Sequence, residues 1–419
     1  MKNVVFKFGG ASIKDADAIK NVASIVLQQQ PKLVVVSAIA KTTNAFENLV
    51  NQHIKSESIS EQLKKIHHFH SEIINSLFDG EENEATENLN KIIQYCEQYL
   101  AHNKETDYDE VYDQIIPAGE LLSSKILGSY LQSLNVNLTW LDARKILRTN
   151  NRFRKAEPKI DESKTNLNSS CNENSIHLIQ GFIGGTDQNL MTTIGREGSD
   201  YSAALFASFL DADELVVWKD VDGVLNADPR YFNDPELIPS LNYKEAIELS
   251  YYGATIIHPK TIQPLAQKNI PLSVRSFQNT DNKGTTINNS GKIAPSTSIY
   301  IYKPNQLLIT LESEDLSFFG EDKMQQIYHH LFEHKLEVNL VQNSAVNCSI
   351  CVDNDPQKTE SLIESLSSDY KLLYNEHLEL LTVRQYQEQL LEGLIQKKEI
   401  VIEQKTRSTV KLLLKSKTA

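Results

Sequence analysis

Residues 4–36 follow a pattern that confines the chain to a narrow set of folds. An apolar run, Val4 to Phe8, ends in Gly9-Gly10, a stretch with helical character covers Asp15 to Gln29, and a second apolar run, Leu33 to Val36, follows. Two strands joined through a helix leave and re-enter the sheet in the same direction, so they lie parallel, with helices covering the sheet. The run from Leu33 reads as a buried strand.

The alternation continues. Residues 57–102 carry apolar residues at helical spacing, among them Leu89, Ile92, Ile93 and Leu100, and read as two helices packed on the core. Strands are expected at Asn137–Leu141, Ile176–Phe182, Glu214–Val217 and Leu272–Ser276, and helices at Ser202–Leu210 and Tyr243–Tyr252. Asn288–Ser298, rich in Asn, Ser, Gly and Pro, reads as a linker. Beyond it the order changes to strand Gln306–Glu312, helix Asp322–His334, a strand pair within Leu336–Asp353, helix Lys358–Ser367, strand Leu378–Val383, helix Gln385–Gln396 and a strand pair within Ile400–Leu414. That order fits small α+β modules of ferredoxin-like type, the second expected to be short. The expected division is therefore 1–298 for a mainly parallel α/β domain sandwiched by helices and 299–419 for an α+β region, in keeping with a 419-residue length that exceeds one core.

Composition narrows the function classes. A net charge of −13 argues against a nucleic-acid partner, because neutralising a phosphate backbone takes a basic face. No apolar run is long enough to cross a bilayer, and Lys7 interrupts the N-terminal one, so a cytoplasmic protein is expected. Cys348 and Cys351 form a CxxC pair, but residues three apart on a strand point to opposite faces, which suits two buried thiols better than a metal or redox centre. His67, His68 and His70 have no carboxylate or cysteine at ligand spacing and read as the polar face of a helix.

Three segments carry candidate chemistry. Lys7 precedes Gly9, Gly10 and Ser12 at a strand-to-helix turn, where backbone N–H groups and a helix N-terminus favour a phosphate. There is no GxxxxGK[ST] pattern, so a nucleotide would be held without that loop. Gly195-Arg196-Glu197-Gly198-Ser199-Asp200 precedes the helix at Ser202. Ser199 or Asp200 could simply cap it, whereas an arginine between glycines offers a fork for a carboxylate or phosphate. Lys219-Asp220-Val221-Asp222-Gly223 leaves a strand through an Asp-Gly turn.

Together with Ser37, Thr43-Asn44, Glu120, Arg148-Thr149-Asn150, Gln180-Gly181-Phe182, Asp228-Pro229-Arg230, His258-Pro259 and Ser276-Phe277, these segments resemble the aspartate kinases of the amino-acid kinase superfamily. The matches run in family order to about residue 287, and the C-terminal part resembles the family's ACT regulatory domains. The resemblance implies transfer of phosphate from ATP, with Mg2+, to the side-chain carboxylate of L-aspartate, at the head of lysine, threonine and methionine synthesis. It implies Lys7 and Asp200 as catalytic residues, with no metal-ligating side chains assigned. Ser37, Thr43, Glu120 and Arg196 are implied as substrate contacts. Lys7, Gly9, Gly10, Ser12, Lys219, Asp220, Leu225 and Arg230 are implied as ATP contacts.

The sequence also departs from the family pattern. Lys219 stands where threonine is usual, Leu225 where tyrosine is, and Thr255 where lysine is common, so Lys219 is expected to take over a phosphate contact. Two other readings stay open: a kinase for glutamate, and a catalytically silent amino-acid sensor, whose signature would be loss of Lys7, Arg196 or Asp200. The resemblance further implies a homodimer or larger homo-oligomer paired through the ACT region, with L-lysine the leading effector candidate. Asn339, standing where lysine-sensitive members carry aspartate, and the divergent loop Ser317–Asp322 predict weak or altered inhibition.

Overall fold

The computed structural model describes residues 2–81, 83–103, 107–253, 257–292, 297–313, 317–395 and 398–416. The chain forms two compact units, one of Met1–Val224, Leu237–Ser250 and Thr255–Ile293, the other of Leu225–Glu236, Tyr251–Ala254 and Ala294–Ala419.

The first unit opens with β1 (Lys2–Phe8), α1 (Ala16–Gln29), β2 (Pro31–Val36), α2 (Thr42–Ile54), α3 (Ser60–Phe78), α4 (Glu84–His102), α5 (Tyr108–Ile115) and α6 (Ala118–Ser133). It continues through β3 (Leu138–Trp140), α7 (Ala143–Ile146), α8 (Ile160–Ser170), β4 (Ile176–Gln180), the small hairpin β5 (Ile183–Gly185) and β6 (Met191–Thr193), then α9 (Gly198–Phe209) and β7 (Glu214–Lys219). β8 (Ser240–Asn242), α10 (Tyr243–Tyr252), α11 (Pro259–Lys268), β9 (Leu272–Ser276) and β10 (Thr285–Asn288) complete the series, α10 running on into the second unit's stretch at Tyr251. Eight strands form one sheet in the order β3-β4-β2-β1-β7-β9-β10-β8, parallel from β3 to β9. The parallel sheet expected from the strand-helix-strand pattern is present, and Val4 to Phe8, Lys7 included, and Leu33 to Val36 are buried throughout. Trp218 of β7 is fully buried, stacked on Phe8 at 5.9 Å and edge-on to Phe6 at 5.5 Å, which locks the two central strands together.

Because β1 has β2 on one side and β7 on the other, the strand order reverses around it. Open α/β sheets bind their ligands in the crevice beyond the carboxyl ends of strands at such a switch point.

Two expectations change here. His70 is not on a polar helix face. It is buried, with Nδ1 2.7 Å from the Ile66 carbonyl and Nε2 3.5 Å from the Thr42 hydroxyl, and burial holds its imidazole down at about 4. The α9 helix starts at Gly198, four residues before the expected Ser202, so Ser199 and Asp200 belong to its first turn rather than capping it; the cap is Glu197, in the left-handed region at φ 55°.

The second unit contains β11 (Ile299–Glu312), α12 (Glu321–Glu333), β12 (Val338–Asn343), β13 (Asn347–Asp353), α13 (Pro356–Leu366), β14 (Lys371–Arg384), α14 (Glu388–Ile395), β15 (Lys398–Lys405) and β16 (Thr409–Ser416). All six strands join one antiparallel sheet in the order β12-β13-β11-β14-β16-β15. The two modules are not successive. β11 and β14 run through both, so Ile299–Lys303 supplies a strand to the second module beside Leu380–Arg384, giving it four strands and one helix among the described residues. Tyr231 lies against Tyr302 at 4.7 Å and Phe232 against Tyr300 at 5.4 Å, which is why Leu225–Glu236 groups with this unit. Cys348 and Cys351 are buried in separate apolar clusters, on opposite sheet faces as their spacing implied, and burial raises both thiols, to about 11 and about 12.

Candidate active site

The carboxyl ends of β1 and β7 gather Lys7, Asp200 and Lys219, and Glu120 is bonded to the Ala38 N–H just beyond the end of β2. Lys7 is the penultimate residue of β1, in register with Val35 of β2 and Val217 of β7. Its Nζ forms an ion pair with Oδ1 of Asp200, in the first turn of α9, while Nζ of Lys219, the last residue of β7, lies 3.7 Å from Oδ2. Lys7 and Asp200 are both buried. Burial alone would raise the Asp200 carboxyl, but the two lysines outweigh it and hold the group below the usual carboxylate range. One anion thus organises two cations, leaving an excess of positive charge at the strand ends.

The turn after β1 is shaped for close approach. Gly10 cannot carry a side chain, because a Cβ there would lie 2.8 Å from the carbonyl oxygens of both Ala38 and Ala40. Gly9 and Gly10 lead into a short 3-10 turn, Gly10–Ile13. The Ser12 hydroxyl is buried and donates to the Trp218 carbonyl at 3.3 Å, so its side chain ties this turn to β7. Ser37 follows β2, its N–H bonded to the Phe8 carbonyl at 3.1 Å, and Thr43 is half-buried in the first turn of α2.

Glu120 enters from α6, a helix whose residues from Ala118 to Gly128 are nearly all buried. The Ala38 N–H donates to its Oε1 at 3.3 Å, while Oε2, also buried, has no hydrogen-bond partner among the described residues. Burial pushes this carboxyl up to about 8 despite the Ala38 bond and the Lys7 charge. A buried carboxylate oxygen left open beside a lysine is costly unless a ligand completes it.

Arg196 is exposed between two left-handed residues, Gly195 (φ 84°) and Glu197 (φ 55°). Behind that loop, a Cβ on Gly198 would fall 2.5 Å from the Phe182 ring, so the helix start packs directly against the end of β4. Asp220 is exposed just past β7. Leu225 and Arg230 fall in the second unit, where Arg230 makes a forked pair with Asp228, at 2.6 Å from Nη2 and 3.0 Å from Nε. Thr255 lies outside the described residues.

Sequence reasoning missed a buried polar layer that supports this floor. The Gln180 side chain accepts from the Ala143 N–H and donates to the Ser124 hydroxyl, which also accepts from the Trp140 indole. Asp113 accepts from the Arg154 and Thr193 N–H groups and the Thr193 hydroxyl, and burial raises it to about 6. A carboxylate or amide inside a nearly all-apolar window, as in Val111–Ile116 and Ile176–Gln180, was the available signal. Among the described residues no group of three His, Cys, Asp or Glu side chains could hold a metal.

A strand-end cation cluster with a glycine turn, on a sheet wound outward from β1, defines a phosphoryl-transfer class. The amino acid kinase family matches residues 2–276. Lysine-sensitive aspartokinase 3 of Escherichia coli is 31% identical over 392 residues, 91% of this chain and 86% of that protein. The solved structure of E. coli aspartokinase III with lysine and aspartate, in the T-state, superposes with a TM-score of 0.83 at 28% identity, covering 98% of this chain and 95% of that one. The same enzyme with aspartate and ADP, in the R-state, gives 0.79 at 27% identity, covering 98% and 96%. The chain belongs to the amino acid kinase family and, within it, to the aspartokinases.

Proposed function

We propose that the chain transfers the γ-phosphoryl group of ATP to the side-chain carboxylate of L-aspartate, giving ADP and 4-phospho-L-aspartate. The observation that carries this reading is the buried Lys7–Asp200 pair, with the half-buried Lys219 on its far side, together with the open Oε2 of Glu120. An aspartate carboxylate, with a reference pKa of about 3.9, is already ionised at neutral pH and needs no general base. The protein's task is to align two anions and neutralise the charge spread over the transferring group. Lys7, fixed by Asp200, and Lys219 face that charge, and the Gly9–Gly10 turn admits phosphate oxygens to backbone N–H groups. Asp200 is ionised but committed to two lysines, so it positions Lys7 and takes no proton. With no carboxylate cage among the described residues, the site fits a nucleotide that brings its Mg2+ on its own phosphates.

Substrate recognition asks for an anion to meet the α-ammonium and a cation to meet the α-carboxylate. Glu120 Oε2 supplies the first and Arg196 the second, with Ser37 and Thr43 as polar neighbours. The test is hydroxylamine trapping of the acyl phosphate with ATP, Mg2+ and, in separate arms, L-aspartate, L-glutamate and acetylglutamate. Hydroxamate is expected with L-aspartate. Faster trapping with glutamate would move the substrate by one methylene, and none in any arm from folded protein would favour the sensor reading.

The regulatory reading is a homodimer paired through the second unit, with L-lysine the leading effector candidate; the E. coli aspartokinase III complex with lysine and aspartate supports the choice of effector. Light scattering that gave a monomer would overturn the pairing.

A further inference from the structure

A second cavity opens in the first unit, of about 240 Å³, bounded by α4, α6, β3, α7 and β6. Its inner wall is apolar: Ile92, Ala118, Leu121 and the buried Met191. One side is aromatic, formed by Trp140 and Tyr95, and cations ring it: Lys91, Lys125 and Arg144.

These three cations are not equivalent. Arg144 is forked onto Asp142, with Nε 2.8 Å from Oδ1 and Nη2 2.8 Å from Oδ2, and Lys91 pairs with Glu87 at 3.2 Å. Lys125 has no carboxylate within ion-pair range among the described residues. Its Nζ sits 3.6 Å above the centre of the Trp140 ring, half-buried, and burial lowers its pKa. Glu84 and Asp142 act on this half-desolvated ammonium only from beyond ion-pair range, so it retains charge that an arriving anion would complete.

We infer that this cavity is a binding site for a small monocarboxylate with a flat apolar body, its carboxylate on Lys125 and its body along Trp140 against Leu121 and Met191. The volume suits one ring, since a cavity of roughly 150 Å³ accommodates benzene. A bare phosphate would leave the apolar wall unused, and a cationic analogue would meet Lys125 head-on. The site bears on the same helix as the substrate pocket: Leu121 adjoins Glu120 on α6, and Trp140 shares the Ser124 hydroxyl with Gln180.

Tryptophan fluorescence reads this directly, because the chain has two tryptophans and Trp218 is sealed in the core. Titrating the full chain with benzoate is expected to change emission saturably, whereas benzylamine and inorganic phosphate leave it unchanged. Lys125→Met, which keeps the side-chain stem on the ring, should weaken benzoate at least about tenfold. Lys91→Gln, at an exposed position, should weaken it less. Trp140→Phe should remove the signal. The proposal is overturned by an absent or non-saturating response, by equal affinity in Lys125→Met, by phosphate competing as well as benzoate, or by a signal that survives Trp140→Phe and so reports from Trp218.

Discussion

The strand-end site of the first unit and the polar cluster around Asn339 in the second use their polar groups in opposite ways. In the first, charge is concentrated at the strand ends and left incomplete: Glu120 Oε2 has no hydrogen-bond partner among the described residues, and two lysines share one aspartate. In the second, the polar cluster on the six-stranded sheet is closed on itself. Asn339 donates to Gln306 Oε1 and Asp353 Oδ1, both at 2.8 Å, accepts from Lys303 at 2.7 Å, and its carbonyl accepts from Lys411 at 2.9 Å. Open valence prepares a unit for a ligand, whereas a satisfied network fixes a conformation. Substitutions in the first unit should therefore change kinetics more than stability, and those in the second the reverse.

The largest effect is expected at Lys7. Lys7→Ala removes a charge that matters most as the phosphoryl group transfers and also strands Asp200 in the interior. It should lower kcat by roughly 10²–10³-fold with a smaller change in KM for aspartate. Arg196→Ala, on an exposed loop, should instead raise KM for aspartate by roughly tenfold or more while kcat changes less. Steady-state kinetics on folded variants separates the two. Equal, small effects would dissolve the contrast between the units, since the first would then behave as a closed structural network too.

Glu120 gives the comparison a pH signature. Its carboxyl is raised to about 8, so near neutrality it is mostly protonated in the free protein, and receiving an ammonium requires the proton to leave. Affinity for aspartate should therefore rise with pH, by at most about tenfold per unit below pH 8, and level off above it. The same raised value means that stability falls as pH climbs from about 4.5 towards 8, because over that range the unfolded chain's carboxyl ionises while the folded one keeps its proton. Glu120→Gln should flatten the KM profile across pH 6–8 and weaken aspartate at the high end. A profile that keeps its slope in Glu120→Gln would assign the titration elsewhere.

How much of this was legible in the sequence depended on whether side chains reported their own surroundings. The interior strands were plain because Val4–Phe8 is apolar but for Lys7 and Leu33–Val36 is apolar throughout. β11 and β14 were read at half length because each is broken in the middle. Lys303 to Gln306 and Leu378 to Asn375 are where their register shifts, and Asn305 and His377 take positive φ there. α6 escaped notice because Glu120, Ser123 and Ser124 are buried with its leucines, which erases the amphipathic contrast that marks a helix. Within the site, Lys7 before Gly9-Gly10 is a weak signal on its own, since a lysine near a strand end is usually solvated, and its catalytic role came with the resemblance. Glu120 came from resemblance alone, and His70 was misassigned because a neutral imidazole can be buried while its neighbours stay wet.

Lys219 tests the first unit at smaller scale. Placed 3.7 Å from Asp200, it is positioned to add charge for a phosphate, so Lys219→Thr should raise KM for ATP several-fold, on the order of 1 kcal/mol, with little change in KM for aspartate. An unchanged KM for ATP would make it a partner of Asp200 and nothing more.

The smallest kinetic effect is expected in the second unit, at Asn339. If its side chain were free, Asn339→Asp would restore a charge for a cationic effector and strengthen inhibition by L-lysine. The geometry argues otherwise. Both amide hydrogens are in use, and the replacement would face the Asp353 carboxylate across the 2.8 Å contact that Asn339 now bridges, turning a hydrogen bond into a like-charge contact. Lys303 recovers only part of that loss, because it already bonds the oxygen that the substitution keeps. An effector shifts the enzyme only by binding one state more tightly than the other, and a network closed without ligand offers little differential contact. Asn339→Asp should therefore lower stability by about 1 kcal/mol, seen as a lower melting temperature, and leave weak lysine inhibition of the kinase reaction no stronger than before. Strong inhibition appearing in that variant, with its melting temperature unchanged, would show that the network opens to a ligand after all.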